Sequence, residues 1–144
     1  MHQHLFRLFV PAILIFLGFS IISFRSQDHL EMEGSWKIDN VQLSDQFEYD
    51  PSTEAQLLQI AEALVGSRLE LDKKGLANFN TKVPQLYVED ARWSYINTEG
   101  RLQLTDNKDA SSVIMEFLVI ASTESTLFYL AESPFVFHMN RIKK

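Results

Sequence analysis

The chain has 144 residues, a length that suits one domain, and a formal net charge of −6. It holds no cysteine, which excludes a disulfide framework, thiolate metal sites and a cysteine nucleophile. The basic residues are scattered, with Lys73-Lys74 and Lys143-Lys144 as the only doublets, so no basic stripe exists to neutralise phosphates and no nucleic-acid partner is expected.

Leu5 to Phe24 reads LFRLFVPAILIFLGFSIISF, with Arg7 as its sole charge. The run has no polar face, is near the lower length limit for a spanning helix, and is slightly long for a signal-peptide core. Arg7 lies on its N-terminal side, and Asp28, Glu31 and Glu33 follow it. The positive-inside rule then places the rest of the chain outside the cytoplasmic membrane. Residues 1–26 are therefore read as a signal peptide or an N-terminal membrane anchor, handled by the export or membrane-insertion machinery. Residues 27–33 form a polar linker, and residues 34–144 form the domain.

The domain opens on Gly34-Ser35-Trp36. In the segment 35–43, Trp36 and Ile38 share one parity while Val41 and Leu43 share the other, which predicts a strand with a bulge near Asn40. Asp50-Pro51-Ser52-Thr53-Glu54 is a helix start, with Ser52 or Thr53 as cap and Glu54 in the first turn. Leu57, Leu58, Ile60, Ala61, Leu64 and Val65 recur at helical spacing and Gly66 ends the run, giving a helix over about 52–65. Its apolar stripe is packing surface, or a lid over a cavity.

Everything after Gly66 reads as strands, most of them alternating, with 112–121 apolar on both faces except Glu116. The segments 67–72, 76–82, 91–97, 101–105, 112–121, 126–132 and 135–142 are separated by turn signals at Asp72–Gly75, Val83-Pro84, Thr98–Gly100, Asp106–Ala110, Thr123–Ser125 and Ser133-Pro134. With the first segment this makes about eight strands, mostly joined by tight turns. The predicted fold is all-β with one helix: an eight-stranded antiparallel up-and-down barrel, the helix lying between strands 1 and 2, plus an apolar N-terminal helix. An open sheet curled over the helix is the rival arrangement.

Gly34, Trp36 and a late Arg141 on the last strand, around such a meander, resemble the lipocalin-like domains of bacterial exported proteins and, more distantly, the calycin barrels. The resemblance spans about residues 33–142. It implies that Trp36 plugs the closed end and that Arg141 stacks on its face as a cation over a π-system. It also implies a binding module for a small apolar or amphipathic ligand, without catalysis or cofactor; the alternative is a filled-barrel structural or interaction module that binds a protein partner through its surface or helix. The helix stands where lipocalins carry a loop; fatty-acid-binding proteins carry helices there.

Alternate residues of the strands would line the barrel. Phe79, Trp93, Tyr95, Leu104, Phe117 and Phe137 either line a cavity or fill a dry core. Glu116 is the odd residue of an apolar strand: facing inward it would contact a polar ligand group, facing outward it would share a surface with Ile114, Leu118 and Ile120, which could then meet the helix. His138 stands alone in the domain, so no metal site is expected. Asp106-Asn107-Lys108-Asp109 lacks the distal glutamate of a calcium loop. The serines sit in no nucleophile elbow and no glycine-rich phosphate loop occurs.

Overall fold

The computed structural model describes residues 32–121 and 125–142. The apolar run Leu5–Phe24, most of the linker and the residues 122–124 of the turn before Ser125 lie outside them. No helix among the described residues is long and apolar enough to cross a membrane.

Eight strands close into a barrel in sequence order. They are β1 (Gly34–Leu43), β2 (Arg68–Leu71), β3 (Leu76–Asn80), β4 (Val88–Ile96), β5 (Arg101–Thr105), β6 (Val113–Ala121), β7 (Thr126–Leu130) and β8 (Phe135–Arg141). Each pairs antiparallel with the next, and β1 pairs with β8 from Trp36 opposite Arg141 to Leu43 opposite Phe135. Closure satisfies the two strand edges that a meander would leave open. The rival open sheet is not formed.

Bulges set which side chains face inward. In β1 the register shifts between Ile38 and Asn40. Asp39 and Asn40 are both exposed, and the extra residue turns Val41 and Leu43 back toward the core beside Trp36 and Ile38. In β4 the same device sits at Glu89-Asp90, where Ala77 faces Ala91 but Phe79 faces Val88. Asp90 takes a φ of 55°, and its N–H is held by Asn78 Oδ1 at 2.9 Å. These two polar residues interrupt the alternation, so β4 begins at Val88 rather than at 91 as the sequence pattern predicts. The other strand bounds differ from expectation by no more than two residues.

The helix α1 (Pro51–Leu64) lies between β1 and β2. Its cap is Asp50, not Ser52 or Thr53. Asp50 is extended, Pro51 fixes the first turn, and the Asp50 carboxylate accepts from Thr53 N–H at 2.8 Å and Thr53 Oγ1 at 3.0 Å. Thr53 is thus the donor in the cap, and its bonds hold the Asp50 carboxyl below the usual carboxylate range. The helix rests on β1, with Ala61 and Leu64 buried and Leu57 partly so. Gln56, Gln59 and Glu62 are wet, but so are Leu58, Ile60 and Val65, because a single supporting strand covers a narrow stripe of a helix.

Gly34 is required by its surroundings. Its φ is +130°, and a Cβ there would stand 3.0 Å from Arg141 Nη1. Next to it, Arg141 Cζ lies 4.4 Å from the Trp36 ring centroid. Trp36 Nε1 donates to the Met32 carbonyl at 3.0 Å, and Arg141 donates to the Glu33 carbonyl. The incoming chain is therefore fastened to the end of the barrel by both partners.

Candidate functional site

The sequence directs attention to the barrel interior, and there the side chains meet one another. Phe79, Leu104, Phe117 and Phe137 have no exposed surface. Their rings form a continuous series across strands: Phe79 lies 6.2 Å from Phe137, Phe137 lies 5.8 Å from Phe117, Phe117 lies 5.6 Å from Phe128, and Phe128 lies 5.3 Å from Trp36. The tilted and edge contacts suit the ring quadrupoles. Phe128 was not among the expected lining residues, although it alternates with Leu130 in a five-residue strand, which is the available signal.

Trp93 and Tyr95 sit apart from that series. They share their parity with Leu104 and Leu102 across the β4–β5 ladder, but both are only half-buried at the edge of the core. Trp93 Nε1 donates to the Asp72 carbonyl at 3.0 Å, so its polar edge is used by the β2–β3 turn.

The barrel also carries a groove on its outer wall, of about 570 Å³. Its floor is a row of residues directly opposite one another in successive ladders: Arg101 of β5, Leu118 of β6, Tyr129 of β7 and Val136 of β8. Ile120 extends the floor along β6, and the segment Ser44–Phe47 after β1 forms the far bank. Leu118 and Ile120 are 46% and 44% exposed, whereas Phe117, of the opposite parity, is fully buried. The helix does not cover Ile114, Leu118 or Ile120, because it packs on β1, which β8 and β7 separate from β6.

Glu116 faces outward, onto this surface. Its Oε1 accepts from Arg101 Nε at 3.1 Å and from Gln103 Nε2 at 3.0 Å, while Arg101 Nη2 lies 3.0 Å from Glu99. A half-exposed guanidinium thus joins two carboxylates along one bank. Glu132 stands at the β7–β8 turn with a φ of 60°, close to Glu116, since the adjacent Ala131 N–H donates to the Glu116 carbonyl at 2.9 Å. Glu132 forms no ion pair among the described residues. In the bank after β1, Phe47 stacks near Tyr49 at 6.3 Å, and the Tyr49 hydroxyl donates to the Ser44 carbonyl at 2.9 Å. Loss of hydration, then the Asp45 and Glu54 carboxylates, raises the Tyr49 phenol above its ordinary range.

A second depression of about 440 Å³ lies at the end of α1, beside Val65, Ser67, Thr81, Lys82 and Tyr87. Ser67 Oγ donates to Thr81 Oγ1 at 2.8 Å there. His138 is engaged with Gln42 Oε1 at 2.6 Å. The carboxylates of the Asp106–Ala110 loop serve the loop itself: Asp106 Oδ1 accepts from Lys108 N–H at 2.8 Å, and Asp109 accepts from the Ser111 hydroxyl at 2.6 Å. That hydroxyl bond, then the Ser111 N–H, holds the Asp109 carboxyl below the usual range. Comparison with protein-family models, curated proteins and solved structures gives no match for this chain.

Proposed function

We propose that the chain is a non-enzymatic, lipocalin-like binding module of the cell envelope that engages its partner on the outer wall of the barrel. The observation that supports this reading is the series of five rings from Phe79 to Trp36, which occupies the space where a carrier barrel would hold its ligand. Exposed apolar side chains beside an acidic bank then give the outer groove the makeup of a contact surface. The envelope location rests on the apolar run Leu5–Phe24 and the acidic flank that follows it.

A second reading keeps the same groove and replaces a protein partner with a small apolar or amphipathic molecule. Its support is the groove volume, about 570 Å³, which falls in the range of about 300–1,000 Å³ usual for ligand sites. Native mass spectrometry of the protein taken gently from membranes separates these readings from carriage inside the barrel. The proposed function predicts the mass of the polypeptide alone after mild activation, since a surface ligand leaves readily. A lipophilic molecule retained until the barrel unfolds would oppose it.

A further inference from the structure

The acidic groove on the outer wall has a composition that selects among occupants. Its lining holds three carboxylates, Glu99, Glu116 and Glu132, against one guanidinium, Arg101. Arg101 is already shared by Glu99 and Glu116, and Glu132 has no ion-pair partner among the described residues. Beside these charges lies an uncharged floor of Leu118, Ile120, Tyr129 and Val136. A second copy of the chain would set like charges against each other. An anionic bilayer surface would meet the same acidic bank on a chain of net charge −6.

We propose that this groove binds an extended polypeptide segment of another protein that carries aliphatic and basic side chains together. The inference rests on the reading of the outer wall as the binding surface. Neighbouring strands stand about 4.8 Å apart, so the row from Arg101 to Val136 spans roughly 14 Å, the length of about four extended residues. In an extended segment alternate side chains point to opposite sides. One set lies on Leu118, Tyr129 and Ile120 and removes their apolar surface from water. A lysine or arginine of the segment reaches Glu132 or the Glu99–Glu116 pair, which lie beside the apolar floor. Complementary charge of this kind fixes direction and partner choice more than affinity, while the aliphatic contacts and Tyr129 supply the holding energy.

The test is an NMR titration of the full chain in nanodiscs of phosphatidylcholine. The probes are three synthetic peptides of about nine residues, alternating lysine with leucine, glutamate with leucine, and lysine with serine. The expected result is a saturable shift of the Leu118, Tyr129 and Glu132 amides with the lysine–leucine peptide, and affinities at least tenfold weaker for the other two. Glu132→Lys and Leu118→Ser each weaken the lysine–leucine peptide about tenfold, and added salt weakens it further. Equal affinity for the glutamate–leucine peptide overturns the charge selection while leaving the outer wall as the surface. Saturable shifts confined to the Phe117 and Phe137 rings overturn both. A groove already shifted by the nanodisc lipid and unresponsive to peptide assigns it to lipid and overturns the proposal, as does the absence of any saturable response.

Discussion

Arg141 covers the ring of Trp36 with its guanidinium carbon 4.4 Å from the ring centroid, and the two residues are also direct backbone partners where the last strand meets the first. They stand roughly a hundred positions apart in the chain, so only closure brings them together. Arg141→Ala removes the cation over the ring and the bond to the Glu33 carbonyl, at an expected cost of about 1–3 kcal/mol. Trp36→Ala opens a space against Phe128 and should cost about 3–5 kcal/mol. Chemical denaturation of the single and double variants should show non-additivity of at least about 0.5 kcal/mol. Additive losses would mean that the contact contributes little to closure.

The helix offers a contrast between two leucines. Leu64 has no exposed surface, whereas Leu58 is 47% exposed. Leu64→Ala should therefore destabilise by about 2–5 kcal/mol and Leu58→Ala by less than about 0.5 kcal/mol. Comparable losses at both positions would show that the outer face of α1 is covered in solution.

Asp50 gives the helix cap a pH dependence of known sign. Its backbone bond from Thr53, then the Thr53 hydroxyl, lowers its pKa in the folded state. The ionised cap therefore adds stability above the unfolded aspartate pKa of about 3.9, and this is lost as pH falls through the lower folded value. Asp50→Asn keeps a capping oxygen without the titration. Thermal melts between about pH 2 and pH 5 should show the wild type losing stability toward acid more steeply than the variant. Parallel curves would remove Asp50 as a source of that dependence.

Much of the barrel is legible in the residue pattern, and the exceptions have local causes. The bulge in β1 shows as a change of parity between Ile38 and Val41, because a buried face must be restored after an extra residue. Glycines at 75 and 100 announce their turns, with φ of 89° and 64°. The start of β4 stays hidden because Glu89 and Asp90 look like loop, although Asn78 holds the bulge they form. The Asp50 cap is hidden in the sequence because Ser52 and Thr53 are equally good capping types and only the geometry around Pro51 decides. The outer groove is the least legible element. It is assembled from four strands and the segment after β1, so no single stretch of the sequence carries it. Glu116 was its single sequence signal, as the polar residue in an apolar strand.

The proposed location of the domain outside the cytoplasmic membrane rests on the apolar run Leu5–Phe24 and is open to a direct test. A reporter fused after Lys144 that matures only outside the cytoplasm should be active, and intact mass should tell a removed leader from a retained anchor. Activity confined to a cytoplasmic reporter would reverse the topology.

The measurement closest to the central claim asks whether the barrel interior admits a guest. Carbon-13 aromatic NMR of the full chain, titrated with laurate, reports separately on the rings of Phe79, Phe117, Phe128 and Phe137, which lie within 6.2 Å of their neighbours in the series. A filled barrel that works from its outer wall predicts unchanged ring resonances up to saturating laurate. Saturable shifts of these rings in slow exchange would contradict it and restore the interior as the binding site.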